Sequence, residues 1–317
     1  MQRPTSRAYP AKGTGHNLSS DGLVLGAPKR DAQLRLHLDR FLADVDPAVV
    51  AANDPVSLVR PYSDPHDREV AGFLVAMLAY GRVASIIATA RRALDALGPH
   101  PAKAVDGGRR AKKLDGFVYR FQKNDDLVRF LTAVKRVRKK YGSLGAAFLA
   151  NDALGTDYAD TMARFVDELL AAVDGPPSNG LKFLLPNPAR GGAAKRLCLY
   201  LRWMVRPDDG ADLGTWRTLA PGVDTSRLVI PLDTHIARIG RYLGLTDRAT
   251  DNLITAREIT SVLRRLRPGD PLAYDLALCH LGIGGQCPRQ RDVVLCRACP
   301  IRAVCRLGPE PKGWRRR

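Results

Sequence analysis

The stretch Ile230-Pro231-Leu232-Asp233-Thr234-His235-Ile236-Ala237-Arg238-Ile239 decides how the chain is read. Pro231 and Leu232 bring an extended segment to a helix start, because proline disfavours helical geometry in the residue before it. Ile236, Ile239 and Leu243 then recur at i, i+3 and i+7, the spacing of one buried helix face. Asp233 stands at or beside the N-cap. As a cap it would accept backbone N–H bonds. As a functional carboxylate at the positive end of a helix it would stay ionised, able to stabilise an oxocarbenium-like sugar or polarise a water. His235 has the same two readings, a structural tie to a neighbour or a group facing a ligand.

Outward from this segment the pattern is helical almost throughout. Helices are expected over about 32–44, 66–80, 83–97, 125–140, 157–173, 191–205, 233–243, 255–266 and 271–281, and no run of alternating β-branched residues suggests a sheet. Ser63-Asp64-Pro65 and Asp125 supply helix starts, and Gly142 a stop. The polar, Gly-rich segment from Asp208 to Ser226 reads as a loop or short helix inserted between two helices. The expected fold is all-α. Residues 1–30 read as a disordered basic tail and 307–317 as a second basic tail.

The charge balance points to an acidic partner. Fifty Lys plus Arg against 32 Asp plus Glu give a formal net charge of +18. Nucleic acid fits best, since Lys and Arg that neutralise phosphates release counterions. No apolar core of a secretory signal follows Met1, and no apolar run reaches the length of a membrane span. A cytoplasmic, nucleoid-associated monomer is expected.

That compartment argues against structural disulfides as the use of the six cysteines. Four fall close together, Cys287, Cys296, Cys299 and Cys305, spaced C-x8-C-x2-C-x5-C. Short intervals let thiolates converge at little cost in loop entropy. Four thiolates suit either an iron–sulfur cluster or tetrahedral zinc, and spacing alone does not choose. Cys198 and Cys279 lie in apolar helical contexts and read as core.

The segment Pro231-Leu232-Asp233-Thr234-His235-Ile236, followed by Arg238 and Leu243-Gly244-Leu245, resembles the catalytic segment of the endonuclease III branch of helix-hairpin-helix DNA glycosylases. The cysteine loop about fifty residues later, with its final C-x2-C-x5-C, resembles that branch too. The likeness spans roughly 65–305, and only its second half is specific. The whole chain also resembles an uncharacterised bacterial family at the edge of that superfamily, through Tyr62-Ser63-Asp64-Pro65, Lys195-Arg196-Leu197 and Leu201-Arg202-Trp203-Met204-Val205-Arg206.

The resemblance implies a two-lobed glycosylase-like fold. Its middle lobe would run over about 66–190, its second lobe over 31–65 plus 191–282, and its cysteine loop over 283–306. It implies a base-excision glycosylase on double-stranded DNA, with or without strand-nicking lyase activity, and a [4Fe–4S] cluster rather than zinc. Asp233 would be the catalytic carboxylate. Lys195 would be the nucleophile, one turn beyond the paired Gly191 and Gly192 that stand in for the phosphate-binding hairpin. That hairpin departs from the usual order, since Leu185-Pro186-Asn187-Pro188 precedes it and Gly-x-Gly is missing. Arg196, Arg202, Arg206, His235 and Arg238 would contact DNA, and Tyr80 and Arg82 would lie where the glycosylases fill the gap left by a flipped base. The rival readings are a non-catalytic DNA-structure binder and a zinc-stabilised nucleic-acid protein.

Overall fold

The computed structural model describes residues 27–108 and 116–308. The expected N-terminal tail falls outside them except for its last four residues, Ala27 to Arg30, which are helical. Of the expected C-terminal tail, 309–317 lie outside as well.

The described chain is predominantly helical. Its first half contains α1 (Ala27–Ala43), α2 (Pro47–Ala51), α3 (Pro65–Met77), α4 (Val83–Leu97) and α5 (Pro101–Asp106). A small antiparallel hairpin follows, β1 (Val118–Tyr119) and β2 (Gln122–Lys123), with Val118 opposite Lys123 and Tyr119 opposite Gln122. Then come α6 (Asn124–Tyr141), α7 (Leu144–Ala150), α8 (Ala159–Ala171) and α9 (Asn179–Leu184). The last part carries α10 (Lys195–Val205), α11 (Trp216–Leu219), α12 (Thr234–Tyr242), α13 (Leu253–Leu266), α14 (Asp275–Ile283) and α15 (Val293–Ala298).

Helix α3 is the central strut. Asp64 caps it by accepting the Asp67 N–H at 2.9 Å, and Pro65 supplies the fixed φ of a first helical position. Every residue from Glu69 to Met77 is buried. Glu69 is the exception in kind, a fully buried carboxylate. It accepts from Arg138 at 2.9 Å, from the Leu144 and Gly145 amides at 3.0 and 2.8 Å, and from Trp216 Nε1 at 2.8 Å. One side chain thereby ties α3 to α6, the start of α7 and α11. Burial still pushes its pKa up despite these donors.

Helix α10 packs against α3, and Gly72 makes the approach possible. A Cβ at Gly72 would lie 2.7 Å from Met204 Cε. Helices α12 and α14 pair in the same way, with Gly282 against His235, whose Cβ a new methyl would meet at 2.7 Å. Helix α1 packs on α13 and α2 on α14. A single continuous core runs through all of these. The main contact of α10 is with α3.

The segment from Asp208 to Ser226 carries the short helix α11, as the sequence allows, and packs into the core. Ala211, Asp212, Leu213 and Trp216 are buried in it. Asp212 is fully buried beside Arg202, whose Nε donates to it at 3.2 Å, and beside Arg206, which also bonds it. Arg202 reaches Asp275 at 2.6 Å, and Arg206 reaches Asp209 and Asp270 at 3.1 and 2.9 Å.

Candidate functional site

Between the turn after α3 and the helices α10, α12 and α14, a cleft of about 610 Å3 opens. Its lining comes from the turn after α3 (Tyr80, Gly81), the start of α10 (Gly192, Lys195), the start of α12 (Asp233, His235) and α14 (Cys279, His280). Leu199, Leu232 and Ile283 supply apolar wall.

Asp233 is the N-cap of α12, in extended conformation with φ −112° and ψ −179°. Its Oδ1 accepts the His235 and Ile236 amides, both at 2.8 Å. Its Oδ2 faces the cleft, 3.7 Å from Lys195 Nζ. The cap and the functional carboxylate are therefore compatible, because each uses a different oxygen. Only 14% of the Asp233 side chain is exposed against 40% for Lys195, so the carboxylate is fixed and the amine can move.

Lys195 opens α10. Gly191 (φ +87°) and Ala194 (φ +49°) are left-handed, which is why the helix begins at Lys195 and not at Gly191 as the sequence pattern predicts. Ala194 offers no side-chain cap, so the first amides of α10 carry no such bond. Gly191 and Gly192 are exposed, and Gly192 borders the cleft.

Cys279 belongs to the site, although its apolar helical context marks it as core. Its Sγ donates to Asp233 Oδ2 at 3.4 Å. Burial, then the charges of Asp233 and Asp275, push its pKa well up, so the thiol is a neutral donor. Its neighbour His280 also lines the cleft, with a buried Nε2 that has no hydrogen-bond partner in the protein, and burial lowers its pKa. The only sequence signal for either residue is that Asp275 and Cys279 are four apart and so share a helix face.

Several expected DNA contacts are placed elsewhere. Arg202 and Arg206 are 4% and 8% exposed and neutralised by four aspartates, so neither reaches a phosphate. Arg196 is 8% exposed. Its guanidinium lies 4.4 Å from the Phe183 ring centroid and 5.1 Å from that of Tyr80, and it donates to the carbonyls of Met77 at 2.6 Å and of Phe183. Burial pulls its pKa down to about 10. Arg238 donates to the Cys287 carbonyl at 2.8 Å and lies 3.3 Å from His235 Nδ1, bridging the cleft and the cysteine segment. Tyr80 borders the cleft but is held by Tyr119, Phe183 and Gln122, which leaves it no freedom to enter a DNA stack. Arg82 is exposed at the start of α4.

The four late cysteines, each partly buried, ring one small cavity together with Ile239, Tyr242 and Ile301. Burial raises the pKa of Cys287, Cys299 and Cys305, and nearby thiols raise them further. Among the described residues, no three His, Cys, Asp or Glu side chains close on one metal-ion position.

The family model for a protein of unknown function, DUF2400, matches residues 54–284, well over half of the chain. The chain belongs to that family. The expected membership of the helix-hairpin-helix glycosylases is thereby corrected, because the model that matches is that of an uncharacterised family and nothing points to the glycosylases. No curated protein and no solved structure matches the chain. The DUF2400 match takes in the whole cleft, with Tyr80, Lys195, Asp233 and Cys279, and stops short of Cys287. Among the described residues no helix is long and apolar enough to cross a membrane.

Proposed function

We propose that this protein binds double-stranded DNA along the cleft and cleaves the N-glycosidic bond of a damaged or mispaired base drawn into it. The observation that carries this reading is the Lys195–Asp233 pair, an amine and a fixed carboxylate 3.7 Å apart in an open cleft of a chain with net charge +18. An amine beside a carboxylate is equipped for attack on a sugar carbon: one group supplies an electron pair, the other stabilises positive charge and moves a proton.

Lys195 passes one ammonium proton to Asp233 Oδ2, and the amine so freed forms a bond to C1′ as the bond from C1′ to the base breaks and the base leaves with the electron pair. Asp233 hands that proton to the departing base and takes one from the new secondary ammonium. Breaking C1′–O4′ then leaves a protonated imine at C1′, and O4′ takes a proton from water. Throughout, Oδ1 stays bonded to the α12 amides, so the carboxylate keeps its aim. Extruding the target base costs least where it is mispaired or damaged, which would give the enzyme its first selection.

The four cysteines would hold a [4Fe–4S] cluster. The support is that all four thiols line one cavity, so a single centre can be shared among them. Such a cluster would supply rigidity to the 287–305 segment. Arg289, Arg291, Arg297 and Arg302 lie along it. The protein would act in the cytoplasm, on the nucleoid.

A panel of duplexes, each with one lesion or mismatch, tests the reading. Borohydride reduces an imine to a stable link, so wild-type protein should be trapped on at least one duplex and Lys195→Ala on none. Asp233→Asn should slow base release by about 100-fold or more. Trapping that survives Lys195→Ala would remove the nucleophile. If no base is released from any duplex, the glycosylase reading fails.

A further inference from the structure

We propose that Phe121 and Phe183 form a stacking platform for an unpaired DNA base one or two nucleotides from the nucleotide held in the cleft. The inference rests on the reading of the cleft as a DNA site.

Of the eight phenylalanines five are core and Phe41 is half-buried against it, and the two that are exposed touch each other. Phe73, Phe117, Phe130, Phe148 and Phe165 are all 1% exposed or less, whereas Phe121 is 53% and Phe183 36% exposed. The two exposed rings meet edge to face with centroids 4.5 Å apart. Phe183 in turn meets Tyr80 at 4.9 Å, again edge to face, and Tyr80 borders the cleft. A ladder of rings thus leads from solvent to the cleft in two contacts.

The outer rung is held rather than loose. Phe121 sits at the tip of the β1–β2 hairpin beside Arg120, whose φ of +58° is left-handed. Tyr119 donates to the Tyr80 carbonyl, and the Tyr80 hydroxyl bonds the fully buried Gln122 side chain. These bonds pin the hairpin to the turn that lines the cleft. Exposing a phenyl ring to water forgoes hydrophobic stabilisation, and fixing it there forgoes the conformational freedom that would let it fold back.

The surroundings select the occupant. Arg120, Lys123 and Lys182 flank the two rings and are exposed. The Arg196 guanidinium lies over Phe183 and Tyr80 at the inner end. Ring faces interleaved with cations match a nucleotide, whose base stacks while its phosphate meets the charge. A base displaced beside the cleft has lost a stacking neighbour, and the ladder stands where it would find another.

The test uses full-length protein with two duplexes, one carrying a single unpaired 2-aminopurine and one fully paired. Wild type should bind the first more tightly and quench its fluorescence. Phe121→Ala, which removes no core packing, should lose on the order of tenfold in affinity for the unpaired base and lose the quench. It should bind the paired duplex as before. Phe121→Trp should restore both signals, and Phe183→Leu, apolar but without a ring, should not. If Phe121→Ala binds the unpaired base as wild type does, the platform is refuted. If wild type binds DNA without preferring the unpaired base, the platform is refuted and the DNA reading stands. If wild type binds neither duplex, both fall.

Discussion

The two ends of α10 carry cations of opposite fate. Lys195 stands at its first turn, 40% exposed, facing one carboxylate across an open cleft. Arg202 and Arg206, two and three turns on, are sealed among Asp209, Asp212, Asp270 and Asp275. On the sequence the three lie along one stripe and look alike. What separates them is the supply of aspartates from distant segments, which fixes whether a cation can meet a ligand. A buried guanidinium with several carboxylates is architecture; an exposed amine with one is available for chemistry.

The largest expected effect breaks the closed end. Arg202→Ala would strand Asp275 in the core and leave Asp212 with Arg206 alone, so chemical denaturation should show a loss of about 3–5 kcal/mol. Lys195→Ala should change stability by no more than about 1 kcal/mol, because its pair is partly exposed. Equal losses would erase the distinction between the two ends.

Next in size is Gly282→Ala. The added methyl would meet His235 and push α12 from α14, carrying Asp233 away from Lys195. Overpacking of this kind costs about 1–3 kcal/mol. Activity should fall further than stability, and activity that tracks stability alone would count against the alignment of the cleft.

Asp275 joins the two ends, since it binds Arg202 and lies near Asp233. Burial, with the Asp233 charge adding to it against the pull of Arg202, leaves its pKa raised to about 6. A carboxyl whose folded pKa lies above its unfolded value of about 4 holds its proton longer in the folded state. Its contribution is therefore fully present below about pH 4 and is lost as pH rises to about 6. Denaturation at several pH values across that window should show the decline in wild type and its absence in Asp275→Asn.

The smallest effect sharpens the open end. Cys279→Ala removes one neutral donor from Asp233 Oδ2, a change of about 1 kcal/mol. Base release should slow by about 5-fold, because the carboxylate loses one of the bonds that hold Oδ2 in place. Cys279→Ser should restore the rate, and an unchanged rate in the alanine variant would show that the thiol only fills space.

What the sequence discloses follows from how local each feature is. Helices α4, α6 and α13 can be read to within a residue or two because their apolar periodicity runs for many turns. Helices α5, α7 and α9, of six or seven residues, escape notice because so few turns leave little periodic pattern. Helix α7 starts on the Ser143 cap together with Glu69, which is 75 residues from Leu144 in the chain. The hairpin, with two residues per strand, gives no alternation to detect. In the site, Asp233 is visible because it opens a helix, whereas Lys195 stands out only through the resemblance, since the sequence pattern starts α10 at Gly191. Cys279 is not visible, because its partner lies on another helix and nothing in its neighbours distinguishes a wall from a core.

Arg238 has a practical consequence for anyone who trims the protein to its DUF2400 stretch. That boundary, at residue 284, removes the Cys287 carbonyl to which the guanidinium is fastened, and the start, at residue 54, discards α1, which braces α13. A shortened version would thus release the side chain that touches His235, and the opening beside Asp233 would be reshaped from behind. Experiments on the opening therefore call for the full-length polypeptide.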